Sequence, residues 1–287
     1  MQTRHLRSFI EISRVHSFAT AAGNLNMTLS ALSMQMKTLE EELDVALFDR
    51  NYRPPKLTPI GREVANKAAL VLEAQKDLMN SCVTTDGLAG NYRIGFVATA
   101  SVRLLPLFLK NASNKAPAAH FEIETALSET LEEKVVSGQL HAGILTASKQ
   151  AESSLNYKTL REETLHYASP KSLAHLTQKE IADTLPFLQF NPGSGIGKLI
   201  ANHVRNLTSK SAKQPIVLDS VEAIMECVNK GIGYTLLAEP DIRRYANSSV
   251  NISLPDGDPL TRKLVLATLD RNEQTEFASR LAELFDE

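Results

Sequence analysis

Three groups of side chains in this 287-residue chain have the types and spacing that recognition needs. The first lies within residues 28–37. Thr28, Leu29, Ser30, Ser33, Met34 and Lys37 fall on one side of a helical wheel, and Gln35 adds an amide. Leu32, Met36, Leu39 and Leu43 repeat at i, i+4, i+7 and i+11 on the other side, which makes one buried stripe. A short helix that points hydroxyl, amide and ammonium groups outward can enter the major groove and meet base edges. The second group is Ala98-Thr99-Ala100-Ser101, Ser128-Glu129-Thr130 and Asn191-Pro192-Gly193-Ser194. Each follows an apolar strand pattern and opens a helical one. Backbone N–H groups and hydroxyls at helix starts suit a carboxylate or a similar anion. Taken singly, each of these residues is equally well a plain N-cap, and the reading rests on their convergence. The third group is Arg50, Arg53, Lys56 and Arg62, with no acid among them, whereas acids gather at Glu40, Glu41, Glu42, Asp44 and Asp49. That segregation suits a surface with one face toward phosphates.

Covalent chemistry finds no comparable support. Gly193-Ser194-Gly195-Ile196-Gly197-Lys198 departs from GxGxxG, because Lys198 stands where the last glycine belongs, and it lacks the P-loop spacing. There is no HExxH pair and no GxSxG elbow. The two cysteines, Cys82 and Cys227, have no CxxC spacing or neighbouring histidine, so they read as apolar packing residues. The expectation is a protein that is not an enzyme and needs no metal or cofactor.

Several elements must position these groups. Residues 4–15 read as an amphipathic helix, with Leu6, Phe9 and Ile10 at helical spacing. Ser17 caps a second helix, Phe18 to Leu25, carrying the small pair Ala21-Ala22. A tight turn through Asn24–Asn26 leads to a third helix, capped by Thr28 or Ser30 and running to about Leu43. Two short helices joined by a tight turn, with alanines at the crossing, are a helix-turn-helix pattern. Pro54, Pro55 and Pro59 then exclude a regular helix over 46–58, which reads as a two-stranded wing with a stiff tip. Thr58 and Pro59 start a long helix that reaches about Val83. Along it Val64, Ala68, Val71, Gln75, Leu78 and Cys82 alternate four- and three-residue steps, the spacing of a coiled-coil stripe. A lone helix this long needs something to pack on, so Val64, Ala68, Val71, Gln75 and Leu78 are read as a dimerisation seam, the alternative being that they pack on their own domain.

Beyond Thr84-Thr85-Asp86-Gly87 the pattern alternates strand and helix. Strands read at 92–98, 120–127, 141–147, 165–169, 186–190, 214–218, 233–237 and 264–269, with helices between them and a last helix from Thr275. Such an order implies a mainly parallel sheet with helices on both faces. No apolar run approaches the roughly 18–20 residues that span a bilayer, and the N-terminal stretch is charged throughout, so the expectation is a cytoplasmic protein with no membrane contact. A net charge of −2 argues against indiscriminate coating of nucleic acid.

Residues 1–61 resemble the LysR-type transcriptional regulators. The matching set is Leu6, Phe9, Val15, Ser17-Phe18, Ala21-Ala22 and Leu25, then residues 28–36, Leu39-Glu40, Leu47-Phe48-Asp49-Arg50, Arg53, Leu57-Thr58 and Gly61, without a gap. Weaker cues continue, among them Leu104-Leu105-Pro106, Ser137-Gly138-Gln139-Leu140 and Lys230-Gly231-Ile232-Gly233. The resemblance implies an α/β protein overall. A mostly α winged helix-turn-helix would cover 1–58 and a linker and dimerisation helix 59–88. A bilobed, periplasmic-binding-protein-like effector domain would cover 90–287. Lobe I would hold 91–161 and 265–287 and lobe II 162–264, with crossings near Arg161 and Leu264. It also implies double-stranded promoter DNA, a small effector and a homodimer or homotetramer as partners. By the same resemblance Arg53 enters the minor groove, and Thr28, Lys37 and Arg50 touch phosphate or brace the wing. Arg50 is alternatively a structural ion-pair partner. Thr99, Ala100, Ser101, Ser128, Thr130, Asn191 and Ser194 would line the effector cleft. Three positions depart from the family. Leu29 and Met34 replace the usual Gln and Arg, and so meet thymine methyls or pack within the domain. His141 stands where Asp is usual, either as a pH-sensing group or as a replaced surface contact.

Overall fold

A computed structural model describes residues 2–52, 54–81, 87–148, 152–205, 213–270 and 274–286. The chain divides into two compact units, Met1–Thr85 and Asp86–Glu287.

In the first unit α1 (Thr3–Val15), α2 (Phe18–Asn24) and α3 (Leu29–Leu43) form a three-helix head. Leu6, Phe9 and Ile12 of α1 and Leu32, Met36 and Leu39 of α3 meet around the buried Ala21-Ala22 pair. The turn between α2 and α3 passes through Asn26 in the left-handed region, φ 53°. The caps follow the expectation: Ser17 Oγ accepts from Thr20 N at 3.2 Å and Thr28 Oγ1 from Ala31 N at 3.1 Å. The wing is β1 (Phe48–Asp49) against β2 (Lys56–Leu57), antiparallel, with Phe48 opposite Leu57. Phe48 sits edge-on to Phe9 and Phe18, with ring centroids 5.7 and 4.9 Å away. Glu40 pins the wing to α3, since its carboxylate accepts from Leu47 N (2.8 Å), Phe48 N (3.1 Å) and Arg50 Nη2 (3.0 Å).

Helix α4 (Pro59–Ser81) starts as read, with Pro59 first and Thr58 Oγ1 accepting from Gly61 N at 2.9 Å. Its stripe is divided, however. Ala68 is buried in the head's own core and so does not face a second chain, and Val64 packs against that core while staying half-buried. The reason is that a heptad pattern is the same whether the covering helix belongs to the same chain or another; here α1 covers the proximal half. Gln75 Oε1 accepts from Arg7 Nη2 of α1 at 3.4 Å. Farther along, Val71 is 42% exposed and Leu78 66%. Cys82 lies outside the described residues.

The second unit is built on two hydrophobic clusters. Its first sheet places β3 (Gly90–Phe96) between parallel partners β4 (Ala119–Thr125) and β5 (Ala142–Thr146). Helices α5 (Ala98–Lys115) and α6 (Ser128–Val136) connect them. The sequence then departs from expectation. A single strand, β6 (Leu155–Pro170), replaces the short one read at 165–169. The polar stretch Lys158–Thr164 hid its first half, where Glu163 is buried. After α7 (Gln178–Thr184), β7 (Leu188–Phe190), α8 (Gly195–Arg205), β8 (Ile216–Leu218), α9 (Val221–Asn229), β9 (Thr235–Ala238), α10 (Glu239–Tyr245) and β10 (Val250–Ser253), the chain returns along β11 (Thr261–Leu269) and ends in α11 (Gln274–Ala282). Strand β11 runs antiparallel to both β5 and the first half of β6; the second half of β6 pairs with β9 and β10. The sheet is therefore mixed rather than mainly parallel. β6 belongs to both clusters and joins them; β11 packs in the first, with Arg161 opposite Leu264 and a register shift at Leu264/Val265. A first lobe (β3–β5, α5, α6, α11) and a second (α7–α10, β7–β10) follow from that arrangement.

Gly61 is the tightest backbone contact in the head. A Cβ there would lie 2.3 Å from the Leu47 carbonyl oxygen. Gly61→Ala should therefore destabilise the head by about 1–3 kcal/mol, through overpacking. Urea unfolding followed on the head should show it, while the transition of the second unit stays in place. A head of unchanged stability would mean that the wing is not seated on the start of α4.

Candidate recognition helix and inter-lobe cleft

The outward face of α3 is open. Thr28, Leu29, Ser30, Ser33, Met34 and Lys37 are all exposed, Leu29 by 51% and Met34 by 71%, so neither of these two packs within the head. Gln35 is a correction. It is half-buried and its Oε1 accepts from Ser8 Oγ at 2.6 Å, so its amide braces α3 against α1 rather than pointing outward. One residue on from Met34 is a rotation of about 100°, which carries the side chain to the flank of the buried stripe. Lys37 pairs with Glu41 one turn on, at 3.7 Å. Arg50 pairs with Glu40 at 3.0 Å and still keeps most of its side chain in solvent. Arg53 lies outside the described residues.

In the second unit a cleft of about 230 Å³ opens between the lobes. Thr99, Ser128, Asn191 and Ser194 line it, as read from the sequence. Ala100 does not: it is fully buried in the core of the first lobe. Ser101 and Thr130 are also absent from the cleft wall, and Ser101 Oγ instead donates to Ala98 O at 2.8 Å. Successive residues of a helix point about 100° apart, so Ala98 and Thr99 of α5 and Ser128 of α6 face the cavity while Ala100, Ser101 and Thr130 turn away.

The remaining polar groups differ in what they have left to offer. Ser194 is spent as a cap, donating to Asn191 O (2.8 Å) and accepting from Gly197 N (3.0 Å). Asn191 Oδ1 accepts from Gly193 N at 3.0 Å. Thr99 Oγ1 accepts from Arg262 Nη1 at 2.9 Å, which leaves its proton to donate. Ser128 is 8% exposed and its Oγ has no partner. Helices α5 and α6 enter from Val97 and Leu127, apolar residues that provide no side-chain cap. First-turn amides without such a cap, at the positive end of the helix dipole, attract an anion. Gly195 keeps the floor open, because a Cβ there would sit 3.0 Å from both Ser128 Oγ and Thr146 Cβ. Glu129 of α6 and Lys198 of α8 pair across the cleft at its rim.

Residues 3–62 match the family model of the bacterial regulatory helix-turn-helix protein, lysR family, and residues 85–287 match the LysR substrate binding domain. The chain belongs to the LysR family. It is similar to the HTH-type transcriptional regulator AlsR of Bacillus subtilis, 28% identical over 275 residues, covering 93% of this chain and 90% of that one. It is also 28% identical to the Hca operon transcriptional activator HcaR of Escherichia coli over 249 residues, 83% and 81% of the two chains. Among solved structures it resembles full-length CbnR in complex with its target DNA, with a TM-score of 0.70, 18% identity and 99% of each chain covered. That likeness speaks for the fold. Among the described residues of this LysR-type regulator, no helix is long and apolar enough to cross a membrane.

Sequence reading missed the most demanding feature of this LysR-type regulator. Behind Thr99 two guanidinium groups and two carboxylates close a buried ring. Arg262, 1% exposed, donates from Nε to Glu163 (2.6 Å) and from Nη2 to Asp241 (3.1 Å). Arg103 donates from Nη1 to Glu163 (2.5 Å) and from Nε to Asp241 (2.8 Å). Burial opposes ionisation of Glu163, but the two guanidinium groups outweigh it and hold the carboxyl below its ordinary value. Asp241 is pushed up by deeper burial, which the same two arginines offset in part. The four residues come from α5, β6, α10 and β11, so no local pattern could have signalled them. His141 also resolves as a structural contact: its Nδ1 accepts from Arg93 N at 2.9 Å.

Removing one member of such a ring leaves a buried charge without compensation. Glu163→Gln should cost about 3–5 kcal/mol of stability. Adding Arg103→Gln should cost less than the two single changes together, because they share partners. Chemical denaturation of the four proteins gives the cycle, and strict additivity would show that the ring does not act as one unit.

Proposed function

We propose that this regulator binds double-stranded promoter DNA through the open face of α3 and the wing, and that a small anion in the cleft between lobes modulates the binding. The observation that carries the DNA reading is the pairing of exposed Leu29 and Met34 with Ser30, Ser33 and Lys37 on one face. Leu29 and Met34 contact thymine methyls, Ser30 and Ser33 meet base edges, and Thr28, Lys37 and Arg50 contact phosphate. Arg53 enters an A·T-rich minor groove. The similar CbnR has been solved on its target DNA, which supports this placement. The protein works in the cytoplasm and binds its effector without converting it.

Residues 1–58 are the DNA-binding part, 59–88 the linker and dimerisation helix and 90–287 the effector domain. Lobe I holds 91–161 and 265–287, and lobe II 162–264. Self-association to a dimer or tetramer uses the distal half of α4 around Val71. The effector's anionic group takes the first-turn amides of α5 and α6, together with the hydroxyls of Ser128 and Thr99.

Two measurements test the head. Lys37→Ala should weaken binding on every sequence and lower the slope of log K against log salt by about one, whereas Met34→Ala should lower affinity mainly where thymine is contacted and leave the slope alone. Equal loss on all sequences for both variants would remove Met34 from base reading. Val71→Asp should split the assembly and abolish tight operator binding with it. Sedimentation of that variant as an intact dimer would relocate the interface.

The cleft is tested with Ser128→Ala in the full chain. It should weaken a carboxylate found by thermal-shift screening by about 1–3 kcal/mol, the value of a buried hydrogen-bond partner. Thr99→Val is a poorer test than its volume suggests, since it also strips Arg262 of an acceptor. An unchanged affinity in Ser128→Ala would place the effector elsewhere.

A further inference from the structure

We infer that the effector carries a cationic group as well as its anionic one, and that Asp219 selects it. The inference rests on the anionic reading of the cleft given above and deepens it. Two observations conflict if the ligand is a simple anion. The orphaned Ser128 hydroxyl and the uncapped starts of α5 and α6 favour negative charge. Yet the charged side chain in the wall of that same cavity is a carboxylate, Asp219. A simple anion in about 230 Å³ beside Asp219 would meet a like charge and gain nothing from it, whereas a cationic group on the same ligand would be attracted.

A second cavity of about 250 Å³ continues from the first and shares Ala98, Thr99, Phe190 and Asp219 with it. Its charged wall is Asp219, Glu222, Asp241 and Arg244. Asp241 is committed to the ring with Arg103 and Arg262. The Arg244 guanidinium lies over the Tyr245 ring, 5.8 Å from its centroid. Asp219 and Glu222 are exposed and carry the negative charge of this end.

Both acids also stand at the start of α9, where a carboxylate stabilises a helix. That role does not account for Asp219 by itself. Ser220 already caps α9, its Oγ accepting from Ala223 N at 3.2 Å, and Asp219 lies before that cap, in the wall of both cavities. The two ends belong to different lobes: Ser128 to the first, Asp219 to the second. A zwitterion with its carboxylate at Ser128 and its ammonium at Asp219 satisfies both ends and ties the lobes together. The ligand class is therefore an amino acid or a similar small zwitterion.

The test uses the full chain and a panel of L-amino acids. Each is matched with the carboxylic acid that lacks the amino group and with the amine that lacks the carboxylate. Thermal shift finds binders and calorimetry measures them. At least one amino acid should bind at least about tenfold tighter than its matched carboxylic acid, the scale of one favourable charge pair. Asp219→Asn should erase most of that difference, while Asp219→Glu preserves it. The inference is overturned if the carboxylic acids bind as well as the amino acids, if Asp219→Asn keeps the difference, or if no panel member shifts the melting. Binding by the amines alone, indifferent to Ser128→Ala, would overturn the anionic reading along with it.

Discussion

The second unit depends on the neutrality of one buried ring. Arg262 cannot reach water, so its charge has to be balanced inside the protein, and Glu163 and Asp241 balance it from two different elements. Two carboxylates then need a second cation, which Arg103 supplies. Each group is tolerable only because the other three are in place. The ring sits where β6 passes from one hydrophobic cluster to the other, beside the start of β11, and it takes in α5 from the first lobe and α10 from the second. Apolar packing of similar volume could stabilise the same place, but it would not define direction. Four fixed hydrogen bonds orient the guanidinium planes, and with them the helices that carry the cleft. Thr99 is the point where this order reaches the cavity, because one hydroxyl touches both Arg262 and the space a ligand would fill.

How much of this was legible follows from the range of the interactions. The head was readable because its core is made by helices whose apolar residues recur every three or four positions, and because prolines mark the wing. Reading failed there only on rotation and ownership. Gln35 is one residue from the open face and turns inward to Ser8. Ala68 obeys a coiled-coil spacing, but α1 is the helix that covers it. Periodicity says that a stripe is covered and is silent on what covers it.

The second unit was readable strand by strand and unreadable at its centre. Glu163 lies in a run of polar residues that looks like a loop, yet it pairs in a strand opposite Arg262, 99 positions away, which also neutralises its charge. Arg103 and Asp241 are 138 positions apart. No local signal reports such pairs. In the cleft Thr99, Ser128, Asn191 and Ser194 were legible, the rotation that turns Ala100, Ser101 and Thr130 away was not, and the availability of the lining groups was hidden. Ser194 and Ser128 look alike in sequence, but one is spent on its own helix and the other is left without a partner.

The recognition face raises the opposite problem, since it leaves Leu29 and Met34 exposed to water. A large apolar side chain gains free energy only when something removes it from solvent, and nothing in the head does so. On DNA the partner with matching chemistry is the thymine methyl, which is presented in the major groove alone. Such contacts are less directional than the bidentate bonds of arginine to guanine, and they tolerate small shifts of the helix. Register must then come from elsewhere. Glu40 fixes the wing to α3 through two backbone amides and Arg50, and under the proposed reading this tie would set the register. A head that reads bases through Leu29 and Met34, as proposed, would need that rigidity more than one with hard contacts, because the backbone grip, rather than the base pairs, would have to place the helix.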